Sequence, residues 1–155
     1  RLAAKYHCEV AEAQQMIDRV TAAAAEVGIA MRFDRVRSGN TFDAHRLVHF
    51  AAAAGRGDAM KERLLRAYFC DGAPVFDREA LALLAGDIGL DGTAAAAALA
   101  KDAFATEVRG DEEEAMRLRI QSVPFFVFAG RQGLAGAHPP ATILEVMRET
   151  YGELG

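Results

Sequence analysis

The side chains that could do chemistry are two cysteines and two histidines that lie one helical turn apart. Cys8 and Cys70 are distant in the chain and form no CxxC pair, so we expect two free thiols without dithiol chemistry of their own. His45 and His49 would share one face of a helix, as paired metal ligands do, but no third ligand is evident nearby. From these residue types we predict no catalytic group within the chain and no metal site.

One stretch of the sequence predicts the central element of the fold, which must position these residues. The sequence SVPFFVF (122–128) is the one continuous run of β-branched and aromatic residues, which predicts a strand buried on both faces. Pro124 has no N–H and therefore belongs at the first residue of that strand or on a sheet edge. A glycine-rich turn follows, residues 134–136 can return as a short antiparallel partner, and Pro140 suits the first turn of a last helix.

The rest of the chain has helical spacing of apolar residues. Residues 29–36 are the exception, because apolar and polar residues alternate there and predict a short extended segment. Glycine, asparagine and aspartate at the boundaries suggest where helices begin and end. The predicted caps or starting residues are Asn40 or Thr41, Asp58, Asp77, and Asp91 or Thr93. The predicted helices cover residues 10–27, 41–54, 58–71, 77–88, 93–100, 102–120 and 140–151.

A lone hairpin is marginal in water, and a strand as apolar as 123–128 needs neighbours at its edges as well as cover on its faces. The sequence supplies almost none. We therefore expect either an N-terminal segment or another copy of the chain to complete the sheet.

Composition narrows the class of partner. The 155 residues are 52% hydrophobic and carry a net charge of −4, with both signs interspersed. No basic stripe and no apolar run of about 20 residues occurs, so neither nucleic acid nor a membrane is the expected partner.

Several blocks resemble one family in matching order. SVPFFVF (122–128) followed by GAHPP (136–140) looks like the closing half of DsbA-like thioredoxin-fold oxidoreductases. NTFDAHRL (40–47), LRAYF (65–69) and EVR (107–109) are similar to the FrnE type, which is related to 2-hydroxychromene-2-carboxylate isomerases. The resemblance implies an α/β thioredoxin-like fold with a large α-helical insertion. Residues 1–121 would then be the insertion and its connecting helix, and residues 122–155 the C-terminal hairpin plus helix.

The resemblance also implies roles for particular residues. The CxxC pair of the family has no counterpart here and would precede Arg1, with Pro124 as the cis-proline that faces it. X-Pro statistics alone favour a trans bond, so only the resemblance favours cis. Val123 and Pro124 would bind substrate, and His45 is either a substrate-side polar group or a partly buried histidine bonded to a carbonyl. Asn40 is a further substrate-binding candidate, or a cap and turn residue.

The implied function is thiol–disulfide exchange with a protein or small-molecule substrate, without a cofactor, in the cytoplasm. One alternative is an isomerase of the chromene-carboxylate kind that uses glutathione. The other is a helical interaction module completed by a partner strand, which would be an obligate oligomer.

Overall fold

The computed structural model describes residue 3 and residues 7–152 of the chain. A helical part comes first, and a β-hairpin with one further helix follows. The elements in chain order are α1 (Val10–Glu26), α2 (Phe42–Ala53), α3 (Gly57–Arg66), a π-helical turn (Ala67–Asp71), α4 (Arg78–Asp87), α5 (Gly92–Ala100), α6 (Ala105–Arg117), β1 (Phe125–Phe128), β2 (Gln132–Ala135) and α7 (Pro140–Gly152).

Aspartate side chains start two of these helices as predicted. Asp77 accepts a hydrogen bond from the Ala80 N–H at the start of α4, and Asp91 does the same for two N–H groups of α5. The predicted cap at Asp58 is wrong, because α3 begins one residue earlier, at Gly57. Asp58 lies in the first turn instead. There the positive end of the helix dipole stabilises its carboxylate, which also forms an ion pair with Lys61.

The alternation in residues 29–36 does not produce a strand. This segment lies against the π-helical turn: the Arg32 N–H donates to the Phe69 carbonyl over 2.7 Å, and the Phe33 ring meets the Phe69 ring edge-on. A Cβ on Gly72 would lie 2.6 Å from the Arg35 Cβ, so glycine permits this approach. Phe33 and the Arg32 backbone are thus held by contacts with one helical turn rather than by a partner strand.

The core of the helical part lies between α2, α3, α4 and α5. Small alanines on these helices let the backbones approach closely, and larger aliphatic side chains fill the centre. The fully buried aliphatic residues at that centre are Leu47, Met60, Leu81 and Leu99.

The hairpin follows α6. Phe125 pairs with Ala135, and Phe128 pairs with Gln132, in antiparallel register. The connecting turn has positive φ at both Ala129 and Gly130, the pattern of a type I′ turn, whose twist suits a hairpin. Phe128 is buried, but Val127 is 43% exposed, so the prediction of a strand buried on both faces is wrong for the described residues.

Two compact units divide the chain, Arg1–Arg109 and Gly110–Gly155. The division lies within α6, whereas the sequence places the domain boundary at residue 121, and that domain boundary stays a prediction. The helices of the described residues are too short or too polar to span a bilayer.

Candidate functional site

The junction ahead of β1 has the features of a peptide-binding position. The Pro124 carbonyl accepts a hydrogen bond from the Gly136 N–H over 2.8 Å, and proline removes no needed donor at the first residue of the hairpin. The Val123–Pro124 peptide bond is cis. Val123 is 86% exposed, and its N–H and C=O form no hydrogen bond with any described residue.

Such an arrangement can bind an extended segment through its main chain. A free N–H and a free C=O on one exposed residue are the two groups that a strand-like ligand pairs with. Because Val123 is so exposed, its side chain makes few packing contacts. Its backbone groups therefore matter more for binding than the type of its side chain. Val123 and Pro124 therefore form one candidate site within the C-terminal unit.

Asn40 and His45 lie together at the start of α2, in the helical unit. The Asn40 Oδ1 accepts a hydrogen bond from the Phe42 N–H over 2.9 Å, which satisfies one donor of the first helical turn. His45 is exposed, and although its backbone N–H donates to the Thr41 carbonyl over 3.1 Å, its imidazole ring forms no hydrogen bond within the described part of the chain. The interpretation of His45 as a partly buried histidine bonded to a carbonyl is therefore wrong, and its ring is open to a ligand.

At the same end of α2, the Phe42 ring makes a cation–π contact with Arg109. The Arg109 guanidinium lies over the Phe42 ring, 5.9 Å from its centroid, at a distance where the cation is attracted to the ring face. Phe42 and His45 are three residues apart and share a helix face. The sequence reasoning named Arg109 only within a matching block and assigned it no contact.

A buried arginine is the side chain of this helix that sequence reasoning missed. Arg46 is 1% exposed, and its Nη2 donates to the carbonyl oxygens of Ala98 and Leu99, each over 3.1 Å. Its Nε donates to the Ala103 carbonyl over 2.8 Å, and its Nη1 pairs with Asp43. The guanidinium thus occupies the C-terminal end of α5, where the carbonyl groups of the last turn carry the negative end of the helix dipole and favour a cation.

Asp43 joins this arginine to a second one. Its other carboxylate oxygen accepts from Arg78 Nε over 2.6 Å. Burial raises the pKa of Asp43, but the hydrogen bonds from Arg78 and Arg46 outweigh it and hold the pKa below its usual range. The i, i+3 spacing of Asp43 and Arg46 was the available sequence signal, yet it does not distinguish an exposed pair from a buried one.

The remaining candidates form no reactive cluster. Cys8 and Cys70 are both free, as expected, and both are half-buried. Among the residues the structure describes, no three His, Cys, Asp or Glu side chains come together to hold a metal ion. The Val123–Pro124 pair and the Asn40–His45 pair belong to different compact units.

Comparisons with known proteins identify the family. The model of the DSBA-like thioredoxin domain matches residues 4–148. Over 98% of its length the chain is similar to the crystal structure of a probable DsbA oxidoreductase from Streptomyces coelicolor, with 39% identity and a TM-score of 0.89. The match covers 66% of that protein's chain. No curated protein matches this sequence.

These matches confirm the predicted α/β thioredoxin-like fold with its helical insertion, and they confirm the predicted DsbA-like family. The FrnE type and the redox role of Pro124 stay predictions. On the extent of the family match and the identity to the Streptomyces protein, the chain belongs to the DsbA-like thioredoxin family.

Proposed function

We propose that this chain serves thiol–disulfide exchange as part of an FrnE-type DsbA-like oxidoreductase. The reacting cysteine pair would come from a CxxC segment outside these 155 residues, since Cys8 and Cys70 do not form one. The observation that carries the proposal is the exposed Val123, whose N–H and C=O are both free of hydrogen bonds within the described residues.

The chemistry would proceed in two steps. One thiolate of the pair attacks a substrate disulfide, forms a mixed disulfide and releases the first substrate thiolate. The second cysteine then attacks the mixed disulfide, so the enzyme pair is oxidised and the second substrate thiolate leaves. Val123 would hold the substrate backbone next to the reacting sulfur by pairing with it as a short strand.

His45 and Asn40 would contribute from the helical unit. His45 is exposed, so its imidazole can carry a proton or bind a polar substrate group. Asn40 already satisfies the Phe42 N–H through its side-chain oxygen, and its contribution to substrate would come from its remaining amide hydrogens.

A matched pair of substitutions tests the backbone role of Val123. The protein used is a fusion in which a CxxC-bearing segment of a DsbA-like oxidoreductase precedes Arg1. Val123→Ala keeps the N–H and should retain insulin-reduction kcat/KM within about threefold. Val123→Pro removes the N–H and should lower kcat/KM about tenfold, the loss of one main-chain hydrogen bond to substrate.

The outcomes are distinct. Equal activity of the two variants would refute the backbone contact, whereas no activity in the parent fusion would refute the oxidoreductase itself. In that case glutathione-dependent isomerisation of a chromene carboxylate is the next assay.

We also propose that the substrate is a thiol or disulfide compound and that no cofactor, nucleic acid or membrane takes part. The free Cys8 and Cys70 support a reducing compartment such as the cytoplasm.

A further inference from the structure

Arg109 carries an exposed positive charge that has no ion pair. Its guanidinium lies over the Phe42 ring, 5.9 Å from the centroid, and no carboxylate of the described residues lies within ion-pair distance of it. The ring attracts the cation but offers no carboxylate or carbonyl oxygen, so the N–H donors of Arg109 remain available to a ligand. A guanidinium in this situation can donate two parallel hydrogen bonds to one carboxylate.

Two further donors lie beside Phe42. The His45 ring is exposed, lies one helical turn from Phe42 on the same face, and forms no hydrogen bond within the described part of the chain. Asn40 accepts the Phe42 N–H through its side-chain oxygen, whereas its side-chain amide hydrogens have no acceptor among the described residues. Arg109, His45 and Asn40 thus hold unused donors at one end of α2.

The acidic residue next to Phe42 does not neutralise these donors. One carboxylate oxygen of Asp43 pairs with Arg46, and the other accepts a hydrogen bond from Arg78 over 2.6 Å. Both oxygens of Asp43 are therefore occupied by arginines other than Arg109. The position beside Phe42 stays open to a negative group from a ligand.

We propose that Arg109, His45 and Asn40 bind a carboxylate of the substrate, so the preferred substrate is a thiol or disulfide compound that carries a carboxylate. The sulfur of that substrate rests on the proposed thiol–disulfide exchange, whereas its charge rests on the unused donors. Phe42 is a positioning residue, because its ring holds the guanidinium. A small organic acid and an acidic peptide side chain both present this group, and separate probes distinguish the two sources.

Thioethers measure recognition apart from exchange, because they do not react with thiols. Thiodipropionate carries two carboxylates, and its diamide has the same chain with neutral amides. Each is titrated into the isotope-labelled fusion described above while the side-chain signals of Arg109 and His45 are followed by NMR. The dicarboxylate should bind about tenfold more tightly than the diamide and shift both signals. Tighter binding of a capped glutamate peptide than of thiodipropionate would assign the carboxylate to a protein substrate, and weaker binding would assign it to a small one.

A matched pair of arginine variants locates the contact. Arg109→Gln removes the charge and should weaken thiodipropionate binding about tenfold, with little change for the diamide. Arg66→Gln makes the same change at an exposed arginine of α3 and should bind both probes as the parent does. Arg109→Lys should recover only part of the affinity, since an ammonium cannot make the bidentate contact. Phe42→Leu keeps an apolar side chain but removes the ring, and it should weaken binding of the dicarboxylate alone.

Turnover connects this site to exchange. Dithiodipropionate and its diamide are compared as disulfide substrates of the same fusion, and the parent should have the higher kcat/KM for the carboxylate compound. Arg109→Gln should abolish that preference, whereas Arg66→Gln should keep it.

Two results would overturn the proposal: equal affinity of the parent for the two thioethers, or equal loss of thiodipropionate binding in Arg109→Gln and Arg66→Gln. Failure of the proposed function gives a different result. A fusion that binds thiodipropionate but reduces neither disulfide would contradict thiol–disulfide exchange and leave the carboxylate site standing. A fusion that reduces both disulfides with equal kcat/KM would contradict the carboxylate preference alone.

Discussion

Replacing Arg46 with methionine should destabilise the helical unit more than any exposed arginine substitution. The side chain is buried and its guanidinium satisfies three carbonyl oxygens as well as the Asp43 carboxylate. Methionine has a similar length and fills much of the volume, but it donates no hydrogen bond. The Ala98, Leu99 and Ala103 carbonyl oxygens would then each lose the hydrogen bond from Arg46, at a buried position that water reaches poorly.

The expected loss in the free energy of unfolding follows from the buried polar groups that Arg46→Met leaves without their partner. Removing one partner of a buried, hydrogen-bonded charge pair lowers the free energy of unfolding by about 3–5 kcal/mol. The hydrogen bonds to the end of α5 are part of that amount, since a buried acceptor left without a donor costs about 1–3 kcal/mol. For a chain of this size, a loss of 3–5 kcal/mol corresponds to a fall in Tm of roughly 6–20 °C.

Urea unfolding followed by circular dichroism at 222 nm measures the effect. The control is Arg78→Met, because Arg78 also pairs with Asp43 but its side chain is 50% exposed, so its loss should lower the free energy of unfolding far less than the loss of Arg46. Arg46→Lys should recover only part of the stability, since one ammonium cannot reach all four acceptors. If Arg46→Met unfolds within about 1 kcal/mol of Arg78→Met, burial of the guanidinium does not stabilise the fold and the reasoning is refuted.

Three further predictions concern neighbouring features. Because the folded pKa of Asp43 is lowered, its stabilisation is complete above the unfolded pKa of about 3.9 and is lost as pH falls through the folded pKa. Asp43→Asn should therefore flatten the acid limb of a Tm-versus-pH curve, and an unchanged limb would contradict this. Gly39→Ala places a Cβ 2.2 Å from the Phe76 Cγ and should lower the free energy of unfolding by about 1–3 kcal/mol in a urea titration. In the same titration, Gly86→Ala meets nothing in α4 and should raise the free energy of unfolding by about 0.5–1 kcal/mol; a loss would show that the helix end needs glycine.

Local patterns in the sequence were enough to predict most elements. The apolar spacing and the caps at Asp77 and Asp91 indicate helices because these signals act within a few residues of chain. The run SVPFFVF indicates a strand for the same reason, and its turn residues indicate a hairpin. The motif blocks predicted the family, since several blocks in matching order are specific even when each is weak.

Contacts between distant segments were decided by the tertiary structure alone. Residues 29–36 alternate like a strand, yet Phe33 and Arg32 meet the π-helical turn 36 or 37 residues further on, and no local pattern specifies that partner. The tertiary structure alone also decides which side chains are buried. His45 and Arg46 are adjacent in sequence, but successive helical residues point about 100° apart, so one ring is exposed and the neighbouring guanidinium is buried.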